Sequence, residues 1–346
     1  MKNILLVLTG GTIGSVNNNG IIGTQKTGCR ILEMTEKYLS DFHFDVKQPL
    51  NILSENIDVR HWEKLLNFIY SQDISEYDGI IITHGSDTLS YSSAMLGIML
   101  NGLKIPVAIT AADKVPDDPE SNAVFNFCSC AFLLAQRKGG VYTVYKNSGE
   151  SEADIYVPTR LIEADRLFDR FSSFDGSPVA KIDRMGNINV INEELFSSME
   201  DKSFQMNISK IHFGKTVMLI HPYPLVDYSA IIKSMGRDTG AVLHVTYHSA
   251  TVSENAAVLA DECNKRGIPL YLCSFKKEND SVYESSDNIL KKGTLPLYNI
   301  SSESAFAKLL TGINLFPENI DDFMRDDIYF EKCIRKQDNP LLHQAD

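Results

Sequence analysis

The strongest constraint on this chain lies in its first fourteen residues, where the apolar run Ile4-Leu5-Leu6-Val7-Leu8 stops at Thr9-Gly10-Gly11-Thr12-Ile13-Gly14. A run this short neither spans a membrane nor makes most buried helices, but it suits a central strand of a parallel sheet covered on both faces. Glycines directly after such a strand let a ligand approach the backbone, and ligands of open α/β sheets bind outside the carboxyl ends of strands. Thr12 stands where a nucleophilic hydroxyl would stand.

The same punctuation recurs downstream. After Tyr77-Asp78-Gly79 the strand Ile80-Ile81-Ile82-Thr83 breaks at His84-Gly85-Ser86-Asp87-Thr88 and enters a helix, read as amphipathic, that runs to Leu100. A third strand, over 105–110, ends in Ala111-Ala112-Asp113-Lys114 and precedes a helix over 121–136. Around these the pattern predicts a helix over 31–39, a strand over 44–53, a helix over 58–70 with Asp58 as its N-cap, and a strand over 140–145. Segments 154–158 and 179–191 read as antiparallel additions at the sheet edge. Residues 15–28, rich in Asn and Gly, read as an exposed loop of the kind that acts as a lid. Between 194 and 215 the period is lost, which marks a linker. Strands over 217–221, 241–247, 270–273 and 293–297 then alternate with helices over 228–235, 254–265 and 302–310, implying right-handed crossovers and a parallel sheet.

The expected fold class is α/β with two domains. The larger, over 1–195, has a Rossmann- or flavodoxin-like parallel sheet; a linker covers 196–214; a smaller parallel-sheet domain covers 215–346. A chain of 346 residues with 43% hydrophobic side chains accommodates both.

Charge narrows the partners. The net charge of -12, with no run of more than two basic residues, argues against nucleic acid. No stretch approaches the roughly 20 apolar residues of a membrane helix, and no small-residue cleavage site follows the N-terminal run, so a cytoplasmic protein without membrane association is expected. The six cysteines form no CxxC pair and read as reduced core thiols rather than a disulfide frame or zinc site. No metal or other cofactor is expected.

An activated hydroxyl needs a base, a partner to orient the base, and donors for the developing oxyanion. The first two strand ends supply hydroxyls at Thr12, Ser86 and Thr88, a carboxylate at Asp87, and backbone amides at Gly11 and Gly85. Taken singly these are ordinary turn or cap residues, with Ser86 or Asp87 as the N-cap of the following helix. Their convergence on one sheet edge is the signal.

Thr9-Gly10-Gly11-Thr12-Ile13, followed by Asp78-Gly79-Ile80-Ile81-Ile82-Thr83-His84-Gly85-Ser86-Asp87-Thr88, resembles the bacterial-type L-asparaginase family, including its glutaminase-asparaginases. The resemblance continues through Ser54-Glu55-Asn56 with Trp62, through Asp118-Pro119-Glu120-Ser121-Asn122 and Phe171-Ser172-Ser173, and into 293–310, where Glu303, Ala305, Ala307, Lys308 and Leu309 match the closing helix. It implies that Thr12 attacks a side-chain carboxamide to give an acyl-enzyme that water hydrolyses, releasing ammonia and aspartate. It further implies that Ser54 and Glu55 hold the substrate's α-carboxylate and α-amino groups, Glu55 suiting an ammonium. By the same resemblance Asp87 is also expected to bind the α-amino group, Ser86 to stand for the family's second threonine, Ala112 to line the pocket through its backbone, and Lys114 to match a structural arginine. Family members complete the pocket from a neighbouring subunit, to which Tyr283-Glu284 corresponds, so a homodimer or homotetramer acting on a small amino-acid amide is implied.

Two positions depart from that pattern. Ile21 stands where the family has a loop tyrosine, and 156–171 contains no lysine, Arg160 being the closest cation. Arginine stays protonated, so Arg160 would orient or stabilise charge without accepting a proton; its bland reading is a surface ion-pair partner. His248 reads either as pocket lining or as a structural histidine. The leading reading is hydrolysis of L-asparagine. The alternatives are a catalytically weakened paralogue that binds an amino acid or protein, and an amidase for glutamine or another amide.

Overall fold

β1 (Lys2–Leu8) buries Ile4 through Val7 completely, and because neighbouring side chains on a strand point to opposite faces, both faces of the sheet at this strand are covered. The computed structural model describes residues 1–18, 21–24, 29–204, 206, 210–276 and 281–333, with backbone alone for 14–18, 21–24 and 29. It divides into two compact units, Met1–Ile211 and His212–Asp346.

In the first unit β1 is followed by the antiparallel hairpin β2 (Ser15–Asn18) and β3 (Ile21–Thr24), then α1 (Cys29–Thr35), β4 (Phe42–Lys47), α2 (Val59–Tyr70), β5 (Gly79–Thr83), α3 (Leu89–Leu100), β6 (Val107–Thr110), α4 (Ala123–Gln136) and β7 (Val141–Tyr145). β8 (Ala153–Tyr156), the hairpin β9 (Leu161–Asp165) and β10 (Arg170–Ser173), β11 (Ala180–Ile182), β12 (Ile188–Val190) and α5 (Glu193–Asp201) complete it. The main sheet runs β12-β11-β8-β7-β6-β5-β1-β4. β4 through β7 pair in parallel, while β8, β11 and β12 add antiparallel. The chain steps from β1 outward to β4 and returns on the other side to β5. That reversal is a topological switch point, where α/β sheets open a ligand crevice.

Three expectations are corrected. Residues 15–18 and 21–24 pair as a hairpin instead of forming a loop, with Asn19, Gly20 and 25–28 outside the described residues. α3 is not amphipathic: all its residues but Tyr91 are buried. Ser92 and Ser93 look like a solvent face in sequence but are bonded inside, the Trp62 indole donating to Ser92 Oγ at 2.9 Å and the Thr143 hydroxyl to Ser93 Oγ at 3.0 Å. The chain from 196 onward is not a bare linker, because α5 continues to Asp201. Asn192 caps it by accepting from the Leu195 N–H, Phe196 and Met199 are buried, and the Arg137 guanidinium lies 3.9 Å from the Phe196 ring centroid.

The second unit has a four-stranded parallel sheet, β13 (Thr216–Ile220), β14 (Thr239–Val245), β15 (Leu270–Phe275) and β16 (Leu295–Tyr298), in that order. α6 (Tyr228–Ser234), α7 (Ala257–Arg266), α8 (Glu284–Leu290), α9 (Ser302–Leu315) and α10 (Ile320–Arg325) alternate with and follow the strands. α7 ends where Gly267 takes a left-handed φ of 66°, the usual glycine C-cap. Among the described residues no helix is long and apolar enough to cross a membrane. Cys128, Cys130, Cys263, Cys273 and Cys333 are buried free thiols, and Cys29 falls outside the described side chains.

One buried ion pair ties the chain after α10 to α9. Lys308 Nζ lies 2.5 Å from Glu331 Oε1 with both side chains fully buried, and Glu331 also accepts from the Ile328 N–H at 2.9 Å and the Tyr329 N–H at 2.7 Å. Removing one partner strands the other's charge in the interior. Lys308→Met is expected to cost about 3–5 kcal/mol in urea denaturation, and Lys308→Met/Glu331→Leu appreciably less; a single variant as stable as the parent would contradict this.

Candidate active site

The switch point is closed by three loops in backbone contact. Gly10 and Gly11, after β1, have φ of 105° and 72°, conformations that side chains resist. The Ile52 N–H donates to the Thr9 carbonyl at 3.0 Å, and the Gly11 N–H donates to the Ile52 carbonyl at 3.0 Å. The Thr9 hydroxyl donates to the Thr83 carbonyl at 2.8 Å, tying the first loop to β5. A Cβ on Gly11 would lie 2.5 Å from Gly85 N and 2.6 Å from its Cα, and a Cβ on Gly85 would lie 2.6 Å from Ser54 Cβ. The loops after β1, β4 and β5 thus meet at Gly11, Ser54 and Gly85. The Thr88 hydroxyl seals them by donating to the Ser54 carbonyl at 2.9 Å.

Thr12, Ser54, Glu55, Ser86 and Asp87 stand in or beside the three segments that make this contact. Thr12 begins the short turn Thr12–Gly14 and is half-buried. Ser54 is buried, while Glu55 beside it is exposed in the turn Ser54–Asn56. Ser86 is half-buried and Asp87 exposed on the path from β5 to α3; Ala112 is buried just past β6. Asp87 is not the N-cap of α3. Thr88 holds that position, and its hydroxyl bonds Ser54 instead of capping. The expected use of the Gly11 amide as an oxyanion donor is also corrected, because its N–H is engaged by Ile52.

His84 lies beneath the site, fully buried. Its N–H donates to the Thr110 carbonyl at 2.8 Å, and Nδ1 meets the Gly85 carbonyl at 2.8 Å, a contact in which Nδ1 carries the proton. Burial holds its pKa below the ordinary histidine value, so the ring is neutral. At the next strand end Asp113 and Asn122 bond reciprocally: the Asp113 N–H donates to Asn122 Oδ1 at 3.0 Å and the Asn122 N–H to Asp113 Oδ1 at 3.1 Å. Lys114 pairs with Glu120 and lies 3.9 Å from Asp118.

Arg160 is not on the surface. It is buried in the turn Pro158–Arg160, and its Nη1 donates to Asp175 Oδ2 at 2.6 Å. Sequence reasoning missed Asp169, which has a φ of 51° in the turn between β9 and β10. Asp169 is exposed, and its pKa is raised by desolvation and further by the charges of Asp113 and Asp87. The signal in sequence was a polar turn, Asp165 to Asp169, between two short strands.

The remaining candidates lie elsewhere. Ile21 belongs to β3, with its side chain outside the described residues. Glu284 opens α8 in the second unit and is exposed, as are Tyr283 and His248. His248 is therefore not a buried structural histidine. His244 fills that role, accepting from the Tyr228 hydroxyl at Nε2 over 2.9 Å, with Nδ1 2.7 Å from the Val245 carbonyl. Among the described residues no group of three or more His, Cys, Asp or Glu is arranged to hold a metal ion.

A family model described as "Asparaginase, N-terminal" matches residues 3–195. The chain belongs to the asparaginase family. Its curated relatives include a glutamyl-tRNA(Gln) amidotransferase subunit of Methanosphaera stadtmanae, 25% identical over 319 residues that cover 89% of this chain and 71% of that protein. The amidotransferase subunit of the same name from Methanothermobacter thermautotrophicus is 23% identical over 339 residues, covering 95% and 76%. Among solved structures, the thermostable L-asparaginase of Thermococcus kodakarensis superposes with a TM-score of 0.74 at 20% identity, covering 96% of this chain and 99% of that one. L-asparaginase I of Vibrio cholerae gives 0.75 at 20% identity over the same shares. These structures establish that this asparaginase-family chain has the two-domain asparaginase fold.

The neutral His84 has a pH signature. Its folded form binds a proton less readily than the unfolded chain, so stability is lost as pH falls below the free-histidine value of about 6.5. Burial lowers His244 in the same sense. Between about pH 7 and pH 5.5 the unfolding free energy should fall, with a slope of at most about 1.4 kcal/mol per pH unit for each histidine. Urea titrations should show a smaller slope in His84→Gln, and an unchanged slope would contradict the assignment.

Proposed function

We propose that this chain is a cofactor-independent amidohydrolase that cleaves the side-chain amide of L-asparagine with Thr12 as nucleophile. The observation that supports this most is the three-loop contact at Gly11, Ser54 and Gly85, which gathers the Thr12, Ser54-Glu55 and Ser86-Asp87 segments at one switch point. Thr12 Oγ attacks the carboxamide carbon, its proton passes to the amide nitrogen, the C–N bond breaks and ammonia leaves. Water then attacks the resulting ester and frees aspartate. Asp87 and Glu55 supply negative charge for the substrate's ammonium, and Ser54 a hydroxyl for its carboxylate. Arg160, paired with Asp175 and always protonated, acts as a positioning residue and not as a base.

In this reading the first unit carries the chemistry, and Glu284 of a neighbouring copy completes the site in a homodimer or homotetramer. The buried free thiols are in keeping with a reducing cytoplasm.

A second reading, an amidase for glutamine or another amide, is favoured by curated relatives that carry the name of a glutamyl-tRNA(Gln) amidotransferase subunit. A weakened paralogue is favoured by Arg160 and Ile21 at the two departing positions. Ammonia release from asparagine and glutamine separates the readings. Thr12→Ala should lose about 10³-fold or more in kcat; residual turnover near the parent's would remove Thr12 as nucleophile. Release from neither amide, with aspartate still binding by calorimetry, would favour the paralogue. Arg160→Met should lower kcat about tenfold with little change in KM, and unchanged turnover would end its positioning role.

A further inference from the structure

The first unit also contains a cavity of about 260 Å³ whose walls include none of Thr12, Ser54, Glu55, Ser86, Asp87 or Ala112. Phe125, Cys128 and Phe132 face it from α4, and Tyr38, Lys146 and Arg184 close it. Both cations are held by backbone anchoring. The Lys146 N–H donates to Asn126 Oδ1 and its carbonyl accepts from Asn122 Nδ2, each at 2.8 Å, and its ammonium lies 5.8 Å from the Phe125 ring centroid. Arg184 sits in the turn between β11 and β12. That turn is tied to α4 by the Gln136 amide donating to the Gly186 carbonyl at 2.8 Å, and a Cβ on Gly186 would lie 3.0 Å from Phe132 Cγ.

One carboxylate, Glu120, also lines the cavity, and it is taken up by Lys114, so the two cations on the wall stay uncompensated. Neither Lys146 nor Arg184 makes an ion pair among the described residues, whereas neighbouring cations do: Arg30 with Asp117 at 2.5 Å, Lys114 with Glu120, and Lys181 with Asp154 at 3.4 Å. In a chain of net charge -12, two uncompensated cations on one aromatic-walled cavity call for an anion. The walls select which anion. A cavity of about 150 Å³ holds benzene, so this one has room for a single ring with a carboxylate but not for a nucleotide. We propose that the cavity binds a small aromatic carboxylate, its ring against Phe125 and Phe132 and its carboxylate between Lys146 and Arg184.

Phenylacetate is the probe, titrated into the full-length protein by calorimetry and ligand-observed NMR. Saturable binding at one site per chain is expected. Benzylamine, with the same ring and the opposite charge, should not bind, and acetate should bind at least about tenfold more weakly than phenylacetate. Lys146→Gln/Arg184→Gln alters two accessible side chains and should keep the parent's circular dichroism while weakening phenylacetate at least about tenfold. The proposal is overturned if phenylacetate shows no saturable binding, if benzylamine or acetate binds as well, or if the folded double variant keeps the parent's affinity.

Discussion

The candidate site depends on two backbones that touch. A methyl on Gly11 would overlap the backbone of Gly85, and a methyl on Gly85 would overlap the side chain of Ser54. Glycine carries a conformational cost of roughly 0.5–1 kcal/mol relative to alanine in regular structure. Here it is offset by the bonds it permits, among them Ile52 to Thr9, Gly11 to Ile52, Thr9 to Thr83 and Thr88 to Ser54. Each is worth about 1 kcal/mol net, and together they hold three loops before any substrate arrives. Prepositioned groups are what an acyl-transfer site requires, since the cost of orienting them is met in folding.

Acidic side chains weight the charge near the candidate site. The charges of Asp113 and Asp87 reach Asp169 and raise its pKa. Beneath them the buried His84 ring is kept neutral, and the Arg160 cation is paired with Asp175. Such a charge balance attracts a positive group.

Much of this was legible in sequence because local and global signals agree. The runs at 4–8 and 80–83 are uninterrupted and aliphatic, which is how strands covered on both faces read. Asp58 announced α2, accepting from the Arg60 and His61 N–H groups at 2.9 and 3.2 Å. What was not legible depends on partners distant in the chain. Ser92 and Ser93 looked solvated because their bonds to Trp62 and Thr143 reach 30 and 50 residues away. The free-looking amide of Gly11 is occupied by Ile52, Arg160 is drawn inside by Asp175, and the charges that act on Asp169 come from Asp87 and Asp113, far away in the chain. α5 was hidden by a polar composition in which two residues, Phe196 and Met199, carry the buried face.

The central claim is that the hydroxyl of Thr12 forms the covalent bond. The most direct measurement is to mix the protein with L-asparagine or L-glutamine, quench with acid within the first turnovers, digest, and read the peptide masses. An acyl group carried by the N-terminal peptide and localised to Thr12 is the result this account predicts. Rapid ammonia release with every peptide unmodified, or an acyl group carried by Ser86, would contradict it.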